Sequence, residues 1–180
     1  MNKKSLILCI ILILSGLQSY SQEKMTTHLE NGYLIGQAIV PLKGKTADEI
    51  YKSSLIWEAK TFREKDIQSK IKDQMIRIRG LSRAVNFTHV VSSGFVIHFF
   101  YLYYTLQINI KDEKLKVEAY RIAYYNTFSY LPAEQYLYRK DGKLKGGQVH
   151  EKVKKQTDAE LSRLLNSLVK TIKGQKKDNW

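Results

Sequence analysis

The sequence predicts an α+β fold in which an antiparallel sheet carries helices on one face. Residues 95–111 alternate apolar and polar side chains over the longest such run in the chain, which indicates a strand buried on one side. Two Thr-x-x-Glu patterns, at Thr46–Glu49 and Thr157–Glu160, each precede an apolar series at helical spacing and are typical of helix starts. The predicted order is strand, helix, a meander of about four strands, helix.

Residues 1–21 have the features of a signal peptide. Lys3 and Lys4 precede nine apolar residues, 6–14, a run too short for a bilayer core, which takes about 20 residues. Small residues stand at the two positions that a peptidase would read for cleavage after Ser21. We therefore expect an exported protein of the periplasm or outer envelope, with no transmembrane helix in the mature chain.

The single cysteine, Cys9, lies inside this predicted signal peptide. Leu8 precedes it where lipoprotein processing requires a small residue, so we do not expect a lipoprotein. The mature chain then has no thiol, which excludes disulfides, thiol catalysis and thiolate metal ligands.

The positive charge is concentrated near the C-terminus. Removing Lys3 and Lys4 from the 30 basic residues leaves 28 against 17 acidic ones, a formal charge of +11, and residues 139–180 hold 12 of the basic and 5 of the acidic ones. Outside the cytoplasm the abundant polyanions are lipid headgroups and acidic glycans, so these lysines either contact such a surface or belong to a solvated loop. The candidate contacts are Lys140, Lys143, Lys145, Lys152, Lys154 and Lys155.

The first half of the chain begins with a polar segment, residues 22–32, that ends in an Asn-Gly turn. Residues 33–42 predict the first strand, and a helix then starts at Thr46, whose hydroxyl and Glu49 form a capping box. The predicted apolar face of this helix is Tyr51, Leu55, Ala59 and Phe62, flanked by Ile50 and Trp57.

The meander follows. Its predicted parts are two short strands within 65–83 joined near 72–74, a loop over 84–94 with Ser92-Ser93-Gly94, a strand over 95–111, a turn at 111–114 and a partner strand over 115–124.

After Tyr124 the pattern is weaker. Residues 136–145 predict either a small hairpin around Asp141-Gly142 or an irregular connection, and a terminal helix starts at Thr157 and ends at Gly174. The predicted organisation is a signal peptide (1–21), the polar segment (22–32), one domain (33–173) with a basic insertion around 125–156, and a tail (174–180).

Several features of residues 39–124 have counterparts in a known family. They are the strand into Val40-Pro41-Leu42, the Thr46-Ala-Asp-Glu-Ile-Tyr helix start, Trp57 with Phe62, and the hairpin from Tyr104 to Val117. With them, the segment resembles a family of exported bacterial domains of unknown function described as having a TATA-binding-protein-like (TBP-like) fold. The resemblance implies a curved antiparallel sheet with helices on one face; it implies no activity and no catalytic residues.

Residues 74–111 contain no Asp or Glu but hold four cationic and seven aromatic side chains. Such a composition suits an anionic or sugar-containing ligand, bound through guanidinium pairs and ring stacking. The alternative is that half of the aromatics belong to the core and the arginines are ordinary solvated residues. The candidate binding surface is Arg77, Arg79, Tyr101, Tyr103, Gln107 and Asn109.

The sequence contains no complete motif for cofactor binding or catalysis. Gly44-Lys45-Thr46 lacks the first glycine of a phosphate-binding loop, because Ile39 stands there. The four histidines match no zinc-ligand spacing, and the chain has no Gly-x-Ser-x-Gly elbow. We therefore predict no metal and no cofactor, and assign no catalytic residue.

Three functions follow from these observations. The leading hypothesis is a non-enzymatic envelope module that binds an anionic glycan, lipid headgroups or an envelope protein. The second is a hydrolase of envelope material with a His or Ser site, which a deep pocket at His89 or His98 beside a carboxylate would favour. The third is nucleic-acid binding by analogy with the fold's namesake, which uses two fused copies and Phe wedges; one copy is visible here, and export separates it from nucleic acid.

Overall fold

The computed structural model describes residues 22–91, 94–125 and 130–174, with side chains for all of these except 83–99. The predicted signal peptide and residues 175–180 of the predicted tail lie outside this part. The strands are β1 Thr26–Glu30, β2 Tyr33–Pro41, β3 Ile67–Ile71, β4 Met75–Val91, β5 Gly94–Lys111, β6 Lys114–Tyr125 and β7 Tyr130–Pro132. The helices are α1 Ala47–Thr61, α2 Ala133–Leu137 and α3 Gln148–Gly174, with a 3-10 turn at Glu64–Asp66.

The strands form one antiparallel sheet in the order β1-β2-β6-β5-β4-β3, and β7 pairs with β6 beside that path. Leu102, Leu106 and Ile108 of β5 are buried and belong to one core cluster with residues of all three helices. From α3 the cluster takes the leucines that the helical spacing predicted to be core. The α+β prediction, with helices on one face of an antiparallel sheet, is confirmed.

Helix α1 begins where the sequence predicted, and its buried face is centred on the predicted flank. Thr46 Oγ1 accepts from the Glu49 amide (3.3 Å), and the Glu49 carboxylate accepts from the Thr46 amide (2.9 Å), which completes the capping box. Of the predicted stripe, Tyr51, Leu55 and Phe62 pack partly buried against the core, whereas Ala59 is exposed. The buried residues are Ile50, Ser53, Ser54, Trp57 and Glu58.

Two serines belong to this buried stripe because their hydroxyls are satisfied within the helix. Ser53 donates to the Glu49 carbonyl (2.7 Å) and Ser54 to the Ile50 carbonyl (2.8 Å). The Glu58 carboxylate is buried beside Lys70 Nζ of β3, 2.9 Å away. A pattern of apolar residues alone could not identify this face, because polar residues with internal partners are buried in it.

Strand β4 is much longer than the sequence predicted. It continues through 84–91, where a loop was expected, and pairs with β5 from Val85↔Phe100 to Val91↔Gly94. The loop was predicted over 84–94 with Ser92-Ser93-Gly94, but residues 85–91 pair with β5. Ser92 and Ser93 of the predicted loop lie outside the described residues.

Helix α3 starts at Gln148 rather than at Thr157, so the second predicted capping box is wrong. Thr157 Oγ1 donates to the Val153 carbonyl inside the helix (2.9 Å) and lies 2.9 Å from Tyr124 Oη. The helix extends towards its N-terminus because Val153 continues the buried stripe. Burial, opposed by the hydrogen bond with Thr157, raises the pKa of Tyr124 far above its ordinary value.

The polar segment 22–32 contributes strand β1, which the sequence did not indicate. Its ladder to β2 runs from Thr26↔Gln37 to Glu30↔Tyr33. Asp158 of α3 accepts from the Thr27 amide (2.9 Å) and hydroxyl (2.6 Å), which ties β1 to the terminal helix. Polar side chains with specific partners therefore hold this edge strand.

A charged group joins α3 to the sheet. Glu160 accepts from Ser82 Oγ of β4 (2.6 Å) and from Nε and Nη2 of Arg163 (both 2.7 Å). Burial alone would raise the pKa of Glu160, but the hydrogen bonds from Arg163 and Ser82 and the charge of Arg163 outweigh it, so this pKa lies below its ordinary value.

This lowered pKa predicts an acid-dependent loss of stability. The Glu160 contribution is present above the ordinary carboxyl pKa of about 4.3 and is lost as the pH falls through the lower folded-state pKa. Glu160→Gln is therefore expected to lower the thermal midpoint at neutral pH, by an amount that shrinks towards pH 3. Thermal melts across this range test it, with Glu151→Gln on the exposed part of α3 as control. A midpoint difference that does not change with pH would contradict the prediction.

Candidate functional site

The sheet has a second face, opposite the helices. Its centre is formed by the odd-numbered side chains of β4 from 75 to 81 and of β5 from 101 to 109, and side chains of β2, β3, β6 and β7 surround them. We call this second face the open face because the described helices all pack on the other side. The long alternation of β5 creates it, since every second side chain points away from the core. All six residues of the candidate binding surface lie on the open face: Arg77, Arg79, Tyr101, Tyr103, Gln107 and Asn109.

A hydrogen-bonded row crosses the middle of the open face. Arg77 donates to Gln107 Oε1 through Nη2 (2.7 Å) and Nε (3.2 Å), and Gln107 donates to Asn109 Oδ1 (3.1 Å). Asn109 donates to Glu118 of β6 (3.0 Å), which also lies 2.8 Å from Lys116 Nζ. The face is therefore polar at its centre, and β6 supplies a carboxylate that the composition of 74–111 did not reveal.

The β5–β6 turn explains why Glu118 belongs to this row. Lys111 pairs with Lys114 across the turn, and the same register brings Gln107 opposite Glu118. Counting back from the turn would have placed Glu118 on the candidate surface from the sequence alone.

Aromatic and cationic side chains lie beside the polar row. Arg79 Cζ is 5.9 Å from the centroid of the Tyr103 ring, a cation–π distance, and the Tyr103 ring meets Tyr130 of β7 edge-on at 6.0 Å. Tyr101 lies 6.5 Å from Tyr125 of β6. Sequence reasoning missed Tyr125 and Tyr130, whose positions depend on the pairing of β6 with β7.

Exposed apolar surface is concentrated on the open face. Of the seven large hydrophobic side chains that are well exposed among the described ones, only Ile56 belongs to a helix. Concentrations of this kind mark interaction surfaces on soluble domains, whereas single exposed residues do not. The six on the open face are Tyr33, Ile39, Ile71, Leu81, Tyr125 and Tyr130.

The six candidate lysines fall on two elements. The first three belong to a short turn with a Tyr138↔Leu144 bridge, and the other three to the first turns of α3. Three have partners: Lys145 Nζ donates to the Gln135 carbonyl (2.6 Å), Lys154 pairs with Asp158 (2.7 Å), and Lys143 lies 3.9 Å from Asp141. The remaining three, Lys140, Lys152 and Lys155, are exposed.

Three further predictions from the sequence concern the histidines, metal ligands and membrane-spanning helices. The side chains of His89 and His98 lie outside the described residues. Where side chains are described, no three potential metal ligands come together. Within the described chain, no helix has both the length and the apolar character to cross a membrane.

The fold and the open face define an α+β domain with one helix-covered and one open sheet face. The family model for DUF4468, a domain of unknown function with a TBP-like fold, matches residues 37–125. Residues 37–125 thus match the DUF4468 domain, and the family resemblance seen in the sequence is confirmed.

Two solved structures share the fold. A TBP-like protein from Parabacteroides distasonis ATCC 8503 has a TM-score of 0.63 and 15% identity, over 82% of this chain and 97% of that one. A DUF4468 family protein from Bacteroides ovatus ATCC 8483 has a TM-score of 0.57 and 16% identity, over 86% and 94%. No curated protein matches the sequence.

Proposed function

We propose that this protein is a non-enzymatic binding module of the cell envelope, and that its open face binds an anionic partner: a glycan, a lipid surface or a protein. The observation that carries the proposal is the concentration of six exposed hydrophobic side chains around a polar row on one sheet face. Apolar area with a few oriented polar groups is the usual composition of a recognition surface.

The charges of the open face favour an anionic partner. Arg77, Arg79 and Lys116 stand against the single carboxylate of Glu118 along the central strands. Arg77 and Glu118 have partners in the polar row, whereas Arg79 lies beside the Tyr103 ring and donates to the amide oxygen of Gln68 (Nη2 2.7 Å, Nε 3.3 Å), which carries no charge. Arg79 is the cation whose charge a bound anion would use most directly, with Tyr103 as a stacking surface.

Binding to anionic surfaces tests this proposal. The purified protein is titrated with vesicles containing phosphatidylglycerol and, separately, with polygalacturonate, at about 0.05 M and about 0.5 M NaCl. We expect binding to at least one probe at low salt and weaker binding at high salt. Arg79→Glu reverses a charge at the surface and is expected to weaken binding at least about tenfold.

The matched control is Lys60→Glu, the same charge change at an exposed position of α1 on the helix-covered side. Absence of binding to both probes at low salt would refute the proposal. So would equal losses in the Arg79 and Lys60 variants, because net charge rather than the open face would then account for binding.

A further inference from the structure

Strand β6 changes its neighbour partway along one edge. It pairs with β2 as far as Gly36↔Ala119 and with β7 from Pro132↔Ala123, so residues 120–122 lack a neighbour in either ladder. Arg121, between these ladders, has φ 51°, a left-handed backbone that non-glycine residues seldom adopt. The β5–β6 register also shifts nearby, as in a β-bulge. The sheet edge therefore has a notch.

A cleft of about 680 Å³ lies at this notch. Small-ligand sites usually have about 300–1,000 Å³, so the cleft could hold a ligand of one or two sugar rings. Two of its rings, Tyr33 and Tyr130, are 68% and 56% exposed and also belong to the open face. The side chains that matter for recognition are Tyr33, Tyr120, Tyr130, Glu30, Arg121 and Glu134.

The charges of this cleft differ from those of the whole protein. Two carboxylates and one guanidinium line the cleft in a chain whose net charge is +13, and one of the carboxylates, that of Glu30, lies 3.6 Å from His28 Nε2. An anionic ligand would be repelled by the two carboxylates, and a cationic ligand without oxygen atoms would leave the donors of Arg121 without an acceptor. A neutral ligand with many hydroxyls can donate to Glu30 and Glu134 and accept from Arg121, which uses every charged group present.

The tyrosines complete a sugar-binding composition. The C–H face of a pyranose is apolar and packs on an aromatic ring, while its hydroxyls need donors and acceptors around the rim. Partial burial, then Tyr103 and Glu134, raises the pKa of Tyr130 despite the opposing charges of Arg121 and Arg79. A tyrosine phenol is protonated at neutral pH without such a shift, so Tyr130 can donate to a sugar oxygen.

We propose that the cleft between the β1–β2 turn and β7 binds a neutral glycan. One or two pyranose rings pack on Tyr33 and Tyr130, and Arg121, Glu30 and Glu134 bond to their hydroxyls. This site goes beyond the proposed function, which concerns an anionic partner on the open face.

Calorimetric titration tests the proposal with three neutral probes: maltotetraose, cellotetraose and tetra-N-acetylchitotetraose. At least one is expected to bind, with a Kd that is the same at about 0.1 M and about 0.5 M NaCl because no net charge is neutralised. Tyr33→Ala is expected to weaken binding at least about tenfold. Tyr125→Ala removes an exposed tyrosine of the open face outside the cleft lining and is expected to change the Kd less than about twofold. Failure of all three probes to bind, or equal effects of the two tyrosine variants, would overturn the proposal.

Arg121→Gly separates the role of the side chain from that of the backbone. Glycine adopts the left-handed conformation without strain, so the thermal midpoint should stay the same or rise, while the guanidinium is lost. We expect glycan binding at least about tenfold weaker in a fully folded variant. Undiminished binding would overturn the assignment of Arg121. Glycan binding in the cleft is expected to be insensitive to salt, whereas binding to anionic vesicles on the open face is expected to weaken as salt rises. Either proposal can therefore fail while the other stands.

Discussion

Replacing Gly80 with alanine is expected to destabilise the protein by about 3 kcal/mol or more. Gly80 lies on β4 directly opposite Tyr104 of β5, and the Tyr104 ring covers the glycine so closely that an added Cβ would overlap its Cε2, Cζ and Oη atoms. The ring is 2% exposed and packed in the core, so it cannot move aside without opening a cavity. Urea unfolding followed by circular dichroism measures the loss.

Two further variants identify the ring as the cause. Gly36→Ala introduces the same methyl group elsewhere in the sheet, where it would meet side-chain atoms of Met25 (Cγ, 3.2 Å) and Leu161 (Cδ1, 3.4 Å) at ordinary to slightly short contact distances. It should cost less than about 1 kcal/mol. Tyr104→Leu combined with Gly80→Ala should cost less than the two single changes added together, because the overlap is removed. Equal losses for the two glycine variants would contradict the prediction.

Local signals predicted the parts of this fold that depend on neighbouring residues. The cap at Thr46 needs only Glu49, and the β5–β6 hairpin needs only its turn and the alternation on either side. The start of α3 was missed because Thr157 and Glu160 imitate a capping box, while their partners outside the helix, Tyr124 and Ser82, are distant in sequence. Contacts between residues distant in sequence decide whether Thr157 and Glu160 begin the helix or lie inside it. A single sequence does not reveal such contacts.

The candidate binding surface also has residues that could be placed from the sequence and residues that could not. Arg77 and Gln107 could be placed on one face because they belong to strands with clear alternation. Tyr130 could not, since its three-residue strand takes its position from pairing with β6 after an intervening segment. The cleft depends on the left-handed backbone at Arg121, a residue type that carries no signal for that conformation. The positions of Tyr130 and of the cleft at Arg121 depend on the strand register and on the bulge, which the sequence pattern does not indicate.

The net charge also proved a poor description of the individual surfaces. In residues 139–155, half of the six candidate lysines have partners. The open face is mildly cationic, whereas the cleft at its rim has an excess of carboxylate. The two proposed sites therefore take ligands of different charge, and salt dependence is the measurement that separates the two proposals.

Replacing Trp57 with alanine is expected to cost about 3–5 kcal/mol, because this residue joins the two long helices. The side chain is 2% exposed, its ring meets Phe62 edge-on at 5.3 Å, and its Nε1 donates to Ser167 Oγ of α3 at 3.2 Å. Alanine would leave a large cavity between α1 and α3 and remove that hydrogen bond. Urea unfolding followed by circular dichroism measures the free energy of unfolding.

Two further variants separate the contribution of the buried Trp57 ring from that of its hydrogen bond. Trp57→Phe keeps most of the buried ring and loses the N–H donor, so it should cost less than the alanine variant by about 2 kcal/mol. Ile56→Ala, at the adjacent position with a side chain 39% exposed, should cost less than about 1 kcal/mol. A Trp57→Ala loss no larger than that of Ile56→Ala would mean that the helices are held by the leucines of α3 alone. The ordering Ala, Phe, wild type would instead show that the buried ring and its hydrogen bond each stabilise the helix layer that leaves the opposite sheet face open.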